Sequence, residues 1–596
     1  MIRLIFTIFT IICFALPFVI LFNYKFGKAL PLSYITITFL MFICSLINNL
    51  SLFKYIIILC ELIIIAIFIL KYGQHKKKII NNLFRYSTFT FIIIFIFLFF
   101  ILKDRMYSYV DDYHYWGILV RDSIENNALY TAKNTLASIG SYPPFLTLLE
   151  ISFNKLIGNI GLMDGISMLA ISSFVISLFI HLLDKYELNK TDVIKAVLTL
   201  LLIVLSTLII STNNDVGVYF LYNTTLIDWP MGFMFAYCMY LAFISDGNLC
   251  DSLNLGICCS ALILVKQVSV PLTMLVLATY LCTLLVNKKI SKKYLLSLSI
   301  PIFVYLIWQA QVVLFNKIIP LAGSVNVVGD ALNLTGDGDT AIIISRFIKA
   351  FFTNPIYLRP IHLSFFAIIL STSLILLLLG YLKKSNKYYV FSIFNFVGGL
   401  GYSLVILISY VSKFNHTYGM TLVCFGRYMQ TYTLGSLILL IMLFASENKK
   451  YKNILVSLLL VCLFIEPTSV ITLKKTKIEE NRLYDFKNTF SNFYNYTYNN
   501  EKTVVLYSTN IAGVELMNFV MDRKNENFII YNSVDNHDSY ESFDKVLNDA
   551  KYLIVVDSND DFWKNCNHMF QDNFILNESI YTINYDENGD KYLLRL

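Results

Sequence analysis

Charged residues are scarce in this sequence. They make up 15% of its 596 residues and hydrophobic residues make up 57%, whereas soluble globular proteins average about 25% charged and 45–50% apolar residues. The mean hydropathy of +0.63 agrees with this imbalance. A soluble enzyme is therefore excluded. Apolar runs of membrane-spanning length recur from residue 4 to residue 472, so the sequence predicts a polytopic integral membrane protein whose solvent is the lipid bilayer.

Cysteine pairs with disulfide or metal-ligand spacing are also missing. The 11 cysteines lie mainly inside apolar runs and form no CxxC motif, so neither a disulfide framework nor a zinc site is indicated. The net charge of +7 comes mostly from lysines in short clusters between apolar runs. This distribution is typical of membrane topology and argues against a nucleic-acid partner. The richness in Ile, Asn, Lys and Tyr indicates an AT-rich bacterial source.

The apolar runs predict an all-α membrane bundle of about 12–14 transmembrane helices. The candidate spans are residues 4–22, 33–51, 54–71, 86–102, 161–183, 193–211, 229–245, 252–266, 269–287, 294–317, 361–382, 388–411, 431–446 and 453–472. No small-residue cleavage site follows the first run, so we interpret it as a span and not as a signal peptide.

Lysine and arginine clusters orient these spans, because such residues are held on the cytoplasmic side of a membrane. The clusters fall in alternate loops, for example at residues 76–78 and 383–387, and we expect those loops to lie inside. The intervening loops then face outward, as does everything after residue 472. The predicted outer loops are residues 103–160, 212–228, 318–360 and 412–430. Any chemistry is expected at the outer face of a bacterial cytoplasmic membrane.

The residues after 500 change from apolar runs to short alternating elements. Three segments rich in β-branched and aromatic residues, TVVLYS, NFIIYNS and KYLIVVDS, alternate with helical stretches at 514–521 and 540–550. This alternation predicts a small extracytoplasmic α/β domain over residues 501–596. The polar residues 473–500 are predicted to be a linker or a juxtamembrane helix.

Two adjacent acids, Asp111 and Asp112, follow the fourth candidate span in the motif YSYVDDYHYWG. If the segment is helical, Trp116 lies one turn beyond Asp112 on the same face. A carboxylate at the membrane interface can act as general base toward a hydroxyl, or hold a divalent ion near a phosphate. The alternative is that both acids are solvated loop residues.

Four further residues stand on predicted outer loops or outer span ends. Tyr142 precedes two prolines that favour the start of an apolar helix. Asp228 precedes a Trp-Pro pair and is either a helix N-cap or part of a site wall. Lys266 lies in an apolar run, which favours a functional role over snorkelling to the interface. Arg427 precedes the thirteenth span, where it either clamps a phosphate or is an ordinary surface residue.

The order and spacing of these motifs resemble those of bacterial polytopic glycosyltransferases of the GT-C superfold, the class related to protein mannosyltransferases and aminoarabinose transferases. The motifs that carry the resemblance are Asp111-Asp112 with Trp116, Tyr142-Pro143-Pro144, Asp228-Trp229-Pro230-Met231-Gly232, Lys266-Gln267 and Gly426-Arg427-Tyr428. The resemblance covers roughly residues 86–445. It implies a GT-C-like catalytic module at 86–472, with additional transmembrane helices at 1–85.

The resemblance further implies transfer of a sugar from a polyprenyl-phosphate donor to a cell-envelope glycopolymer, lipid or protein, with inversion of the anomeric centre. Asp111 or Asp112 matches the catalytic acidic position and acts as general base. Lys266 and Arg427 match positions that line the family's cavity, where the two cations would contact the leaving phosphate. The expected substrate-binding residues are Tyr115, Trp116, Tyr142, Asp228, Lys266 and Arg427.

The sequence departs from the family pattern in ways that leave details open. Asp112 stands where many relatives have glutamate, so either acid can be the base. Lys266 is followed by Gln-Val-Ser and not by Asn-Glu-Gly, so one acidic cavity group is missing and metal use is undecided. A divalent cation, Mg²⁺ or Mn²⁺, held by Asp111, Asp112 and His114 remains an option.

We therefore predict a lipid-linked-sugar glycosyltransferase, and two alternatives stay open. An envelope polysaccharide polymerase or ligase also uses lipid-linked sugars at the outer face and typically relies on outer-loop arginines. A transporter or flippase makes no bond and is expected to bury ionisable groups near the middle of the bilayer, with Lys266 paired to an acid at that depth.

Overall fold

A computed structural model gives the fold of most of the chain. The residues it describes are 2–105, 111–131, 142–158, 165–188, 192–208, 211–214, 217–220, 222, 224–290, 292–314, 338–358, 361–412, 416–446, 501–508, 528–532, 540–548, 550–572 and 579–596. The predicted span at 453–472, the linker at 473–500, the helix at 514–521 and most of the outer loop at 318–360 lie outside the described residues.

The described residues divide into two compact units. One unit holds those within 1–105 and 119–473, and the other holds those within 106–118 and 474–596. The helix α5 contains the boundary at residue 118, so the acidic segment that precedes it belongs to the second unit.

The first unit is a bundle of α-helices. Its first helices are α1 (Ile2–Leu21), α2 (Phe26–Leu46), α3 (Phe53–Leu83), α4 (Tyr86–Leu102), α5 (Gly117–Glu125, in part), α6 (Phe145–Ile157), α7 (Gly165–Ile180) and α8 (Val193–Leu208). The remaining ones are α9 (Asp228–Ile244), α10 (Leu249–Ile263), α11 (Ser269–Val286), α12 (Tyr294–Leu314), α13 (Gly338–Thr353), α14 (Phe365–Lys383), α15 (Asn386–Ser412), α16 (His416–Thr421) and α17 (Phe425–Ser446).

Nine helices in the described part of the chain are long and apolar enough to cross a membrane, or up to ten if the bent pair Lys76–Leu83 and Tyr86–Leu102 forms one span. Each predicted span before residue 447 coincides with a helix, although α8, α9 and α10 are shorter than a full crossing. The prediction of a multi-pass helical membrane protein is thereby confirmed. The predicted count of 12–14 stays a prediction, because the predicted span at 453–472 lies outside the described residues.

Glycines bring α9 and α17 close together. A Cβ atom at Gly232 would lie 2.8 Å from the Thr431 carbonyl oxygen, and one at Gly435 would lie 2.4 Å from Cδ1 of Phe235. Neither position has room for a side chain, so the backbones approach each other as small residues allow in membrane bundles.

Lysines gather at one end of this bundle, where α9 and α17 end. Their contacts are Lys185 Nζ to the Ala445 carbonyl (2.7 Å), Lys387 Nζ to the Phe243 carbonyl (3.0 Å), Lys289 Nζ to Asp246 (2.7 Å) and Lys28 Nζ to Asp251 (3.2 Å). Asp228 and Arg427 lie at the opposite ends of the same two helices. Lysines from alternate predicted loops therefore share one end of the bundle.

Two β-hairpins, which the sequence reading missed, belong to the first unit. They are β1 (Ser211–Asn214) with β2 (Gly217–Phe220) and β3 (Pro355–Leu358) with β4 (Ile361–Ser364), both antiparallel. β1 and β3 contact each other, and both contact α17. The connections at this end of the bundle therefore have regular structure of their own.

The second unit contains a five-stranded sheet, as the predicted α/β alternation requires. Its elements are β5 (Thr503–Tyr507), β6 (Phe528–Asn532), α18 (Tyr540–Leu547), β7 (Tyr552–Val555), α19 (Asp560–Cys566), β8 (Ser579–Tyr585) and β9 (Lys591–Arg595). The strand order is β6-β5-β7-β8-β9. The first three are parallel, while β8 and β9 are antiparallel additions that we did not predict.

The grouping of the lysines predicts the orientation of the bundle. A fluorescent protein that matures only in the cytoplasm should fluoresce when fused after Lys288, whereas alkaline phosphatase, active only outside, should be active when fused after Gln267. The reason is that basic residues near helix ends are retained inside. The opposite pattern for both reporters would invert the assigned sidedness.

Candidate functional site

An ion-pair cluster joins three of the residues singled out in the sequence. Lys266 Nζ lies 2.9 Å from Oδ1 of Asp228, and Arg427 Nε lies 3.6 Å from Oδ2 of the same carboxylate. The exposed fractions of the side chains are 13% for the lysine, 10% for the arginine and 4% for the aspartate. Two cations from distant parts of the chain thus share one carboxylate that is almost fully withdrawn from water.

The ion-pair cluster and the contact at Gly232 and Gly435 lie on the same faces of α9 and α17. Asp228 and Gly232 are four residues apart on α9, and Arg427 precedes Gly435 by eight residues on α17, so each pair lies on one face of its helix. The close approach at the glycines therefore sets the distance between the carboxylate and the guanidinium. Asp228 is the first residue of α9, and the N-cap is Ile227. The N-cap reading of Asp228 was wrong, because its carboxylate is engaged by the two cations.

Lys266 is carried by the short connection between α10 and α11. α10 ends at Ile263 and α11 begins at Ser269, which agrees with the short connection between the predicted spans 252–266 and 269–287. The start of α6 docks on this connection through the Phe145 amide, which donates to the Leu264 carbonyl at 2.9 Å. The Tyr142 motif is thus brought to the lysine, and the helix begins after its prolines as predicted.

Tyr428, which the sequence reading used only as part of a motif, packs against both cations. Lys266 Nζ lies 5.3 Å and Arg427 Cζ lies 5.2 Å from the centre of its ring, within the range of cation–π attraction. The hydroxyl of Tyr402 on α15 donates to the Tyr428 carbonyl at 2.8 Å. α15 is therefore a third helix that holds Tyr428 in place beside the two cations. The Gly-Arg-Tyr order alone could have suggested this residue.

The electrostatics of Lys266 follow from these neighbours. Burial by itself would lower the pKa of the lysine, but the Asp228 carboxylate, helped by the phenols of Tyr142 and Tyr428, outweighs burial and raises the pKa above its ordinary value. The lysine therefore stays protonated throughout the neutral range. A buried carboxylate that loses such a partner is strongly destabilising.

A second group of buried residues lies near Tyr142 in the same unit. The Tyr130 hydroxyl donates to the Tyr142 carbonyl at 2.7 Å, and Glu150 on α6, only 1% exposed, is near enough to influence Tyr130 electrostatically. Sequence reasoning missed Glu150. An acid within an apolar helix is the signal that could have found it.

The acidic pair lies in the second unit, so the structure does not relate it to the cluster. Asp112 begins a π-helical turn, Asp112–Trp116, in which the Gly117 amide donates to the Asp112 carbonyl five residues back. Such turns are rare and often occur at functional sites. Asp111 is partly buried and Asp112 is fully buried, so the second acid is not a solvated loop residue. Tyr115 and Trp116 belong to the same turn.

A metal site is not assembled by the described side chains. Among them, no three His, Cys, Asp or Glu side chains are close enough to hold a metal ion. The side chain of His114, one of the three ligands considered, lies outside those described. The divalent cation thus stays a prediction, and the reaction proposed below uses protein side chains alone.

The chain matches no protein-family model, and no curated protein is a significant match to it. The geometry of the cluster therefore carries the functional argument.

The glycine contact predicts a sharp difference between two Gly→Ala variants. Gly232→Ala should reduce stability by about 1–3 kcal/mol because its Cβ meets a backbone oxygen, whereas Gly401→Ala, which meets nothing within 4 Å, should not. Both are helical sites that gain helix propensity, so the control isolates packing. Thermal unfolding of the purified protein in detergent measures the difference; equal melting temperatures would contradict the close contact.

The ion pair predicts a pH-independent stabilisation near neutrality. A lysine whose folded pKa is raised contributes stability that is fully present below its unfolded pKa of about 10.4 and is lost only as pH rises through the folded value. Lys266→Met should therefore lower the melting temperature equally at pH 6 and pH 9. A loss seen at pH 6 but absent at pH 9 would mean that the lysine is already neutral there.

Proposed function

We propose that the protein is a membrane glycosyltransferase that moves a sugar from a polyprenyl-phosphate donor to a cell-envelope acceptor. The observation that carries this proposal is the cluster in which Lys266 and Arg427 share Asp228 at the ends of membrane helices. Fixed cations in a site with little water stabilise charge far better than cations in bulk solvent.

The cluster suits the phosphate of a departing lipid carrier. When the bond between the anomeric carbon and the phosphate oxygen breaks, negative charge grows on the phosphate, and nearby cations lower the energy of that state. Lys266 has three donor hydrogens, and Asp228 is its one hydrogen-bonding carboxylate among the described contacts. The lysine thus has donor capacity left for a phosphate oxygen, while Asp228 holds it in place.

In the proposed reaction, Asp111 or Asp112 accepts the proton of the acceptor hydroxyl. The acceptor oxygen then forms a bond to the anomeric carbon as the bond to the phosphate oxygen breaks on the opposite side, which inverts the configuration. The proton ends on the carboxylate and the electron pair on the polyprenyl phosphate. General-base catalysis of this kind contributes about 10²–10⁴-fold.

The lysine-rich end of the bundle supports an extracytoplasmic position for the cluster. Basic residues are retained in the cytoplasm, and Asp228 and Arg427 lie at the other end of α9 and α17. The proposed site therefore faces the outer surface of the cytoplasmic membrane, where a lipid-linked donor can enter between helices. The GT-C-like architecture and the extracytoplasmic C-terminal domain are part of the same proposal.

The position of the acid that pairs with Lys266 favours a transferase over a transporter. The transport hypothesis expects that lysine to pair with an acid near the middle of the bilayer, whereas its partner Asp228 is the first residue of α9. A polymerase or ligase would depend on Arg427 and tolerate changes at the acidic pair, and the activity test separates this alternative.

The test is transfer of labelled sugar from polyprenyl-phosphate sugars to envelope fractions in membranes with matched protein levels. Asp111→Asn combined with Asp112→Asn should reduce transfer by about 100-fold or more. Lys266→Ala should raise the donor concentration needed for half-maximal rate more than the acceptor concentration. Lys289→Ala and Asp246→Asn, which break an exposed pair at the other end of the bundle, are matched controls expected to leave transfer unchanged.

Two results would count against the proposal. Full transfer by the doubly substituted acidic variant, together with loss on Arg427→Ala, would favour the polymerase or ligase. Absence of any labelled product, with accumulation of donor lipid on one side of the membrane only when the protein is present, would favour a flippase.

A further inference from the structure

Three basic residues lie at the end of the helical unit opposite its lysine-rich end. Arg3 lies in the first turn of α1, Lys54 in the first turn of α3 and Lys155 in the last turn of α6. The other end of α1 leads to α2, whose Lys28 pairs with Asp251 at the lysine-rich end. α1 is 20 residues long, which is about 30 Å at 1.5 Å per residue. Arg3 is therefore a full membrane crossing away from that end, at the depth of the lipid headgroups.

The register of α1 and α3 places Arg3 beside Lys54. The two helices run in the same direction, because α2 lies between them in the chain and packs against both. The Thr10 hydroxyl donates to Oε1 of Glu61 at 2.7 Å, which fixes the turns that lie side by side. Arg3 precedes Thr10 by seven residues, and Lys54 precedes Glu61 by seven. Seven residues are close to two helical turns, so the two cations are neighbours as the lower pair is.

The end of α6 holds Arg3 in place. Nη1 of Arg3 donates to the Ile157 carbonyl at 3.4 Å. Gly158 follows the helix with a positive φ of 95°, and a Cβ atom at this position would overlap the same nitrogen. The guanidinium therefore occupies space that a side chain at residue 158 would fill, and it is fixed in the turn that carries Lys155.

The positive charge of these residues is mostly unbalanced. Burial, together with the Lys54 ammonium, lowers the pKa of Lys155 below its ordinary value, so the two lysines are close enough to repel each other. Within the part of the chain that the structure describes, no carboxylate pairs with Arg3, Lys54 or Lys155. The carboxyl-terminal end of α6 supplies about half a negative elementary charge, against three positive charges. An anion would therefore be attracted to this point.

Exposed apolar side chains continue from the cations along α1 and α3. Phe6 lies one turn beyond Arg3, while Ile58 and Leu62 lie one and two turns beyond Lys54, so they share the side of the helices that carries the cations. All three are exposed, and exposed residues of an apolar span face lipid chains. A ligand that combines an anionic group with hydrocarbon chains therefore complements this surface better than a free anion does.

We propose that Arg3, Lys54 and Lys155 bind the phosphate of an anionic phospholipid whose acyl chains lie along α1 and α3, and we call this the headgroup site. Basic residues at a membrane surface attract anionic headgroups, and a guanidinium has five donor hydrogens, more than its contact with α6 requires. The occupant is a lipid of the surrounding bilayer. The headgroup site shares no residue with the cluster at Asp228, and its existence does not depend on the transferase proposal.

The experiment measures binding of single lipids to the full-length protein by native mass spectrometry in detergent. Phosphatidylglycerol is the anionic probe, and phosphatidylcholine with the same acyl chains is the zwitterionic one. The wild type should bind its first phosphatidylglycerol about tenfold more tightly than phosphatidylcholine. Lys54→Gln combined with Lys155→Gln should weaken phosphatidylglycerol binding about tenfold or more, because two of the three charges that attract the headgroup are lost. Binding of phosphatidylcholine should not change.

Matched variants test whether charge and position both matter. Lys54→Arg combined with Lys155→Arg keeps both charges and should bind phosphatidylglycerol like the wild type. Lys545→Gln combined with Lys564→Gln removes the same charge from exposed positions of α18 and α19 and should also bind like the wild type. Lys54→Gln alone, at an exposed position, should show a smaller loss in the same direction. Equal melting temperatures of these proteins establish that the fold is intact.

Several results would overturn this inference. Equal affinity of the wild type for the two lipids would show that the headgroup site does not select anions. Unchanged phosphatidylglycerol binding in the doubly substituted Gln variant of Lys54 and Lys155, or an equal loss in the variant of the second unit, would remove the assignment to these lysines. Displacement of phosphatidylglycerol by inorganic phosphate at equal concentration would identify a free anion as the ligand. Tighter binding of a polyprenyl phosphate that depends on the same lysines would identify an isoprenoid lipid as the occupant.

Discussion

The arrangement of the helical unit depends on the Asp228 carboxylate, which pairs with two cations. Asp228 is almost fully withdrawn from water, and an isolated charge in such a place is too costly to survive. Its pairing with Lys266 and Arg427 ties α9, the α10–α11 connection and α17 at a single point. The two cations repel each other, so the carboxylate between them holds both in place.

This pairing requires close packing elsewhere. Gly232 and Gly435 let α9 and α17 approach until no Cβ would fit between them. Asp228 lies four residues before Gly232 and Arg427 lies eight residues before Gly435, so the same approach brings the starts of both helices together at the ion pairs. Tyr428, backed by Tyr402, closes the same region with an aromatic face. Packing within the membrane and electrostatics at its edge are therefore coupled, and a change in one should be felt in the other.

The strongest sequence patterns predicted the fold best. Long apolar runs and lysine clusters follow from the energetics of the bilayer, which act on every residue. The helices, and the gathering of lysines at one end of the bundle, could therefore be predicted. Boundaries were harder to place. α17 begins at Phe425, six residues before the predicted span, because its first turns, FGRYMQTY, are polar enough to resemble a loop. The hairpins β1–β2 and β3–β4 were missed because each of their strands has only four residues, which is too short to show a clear alternation.

The candidate site could be predicted residue by residue but not as a geometry. Asp228, Lys266 and Arg427 were each chosen by position, while their shared contacts depend on tertiary packing that motif spacing does not reveal. The hairpin β8–β9 was missed although Asn588-Gly589 is a recognised turn pair, and Gly589 does adopt a positive φ of 88°. Glu150 was missed because a single acid inside an apolar run was not weighed.

The division of the chain has a consequence for biosynthesis. The acidic segment around Asp111 and Asp112 is made early, yet it belongs to the unit whose other residues lie within 474–596. Some 360 residues of the membrane bundle must leave the ribosome before that unit can be completed. The early acids and the late sheet are thus joined only in a finished polypeptide. A prematurely terminated chain would enter the membrane with its helices in place but without the rest of the unit to which its acidic pair belongs.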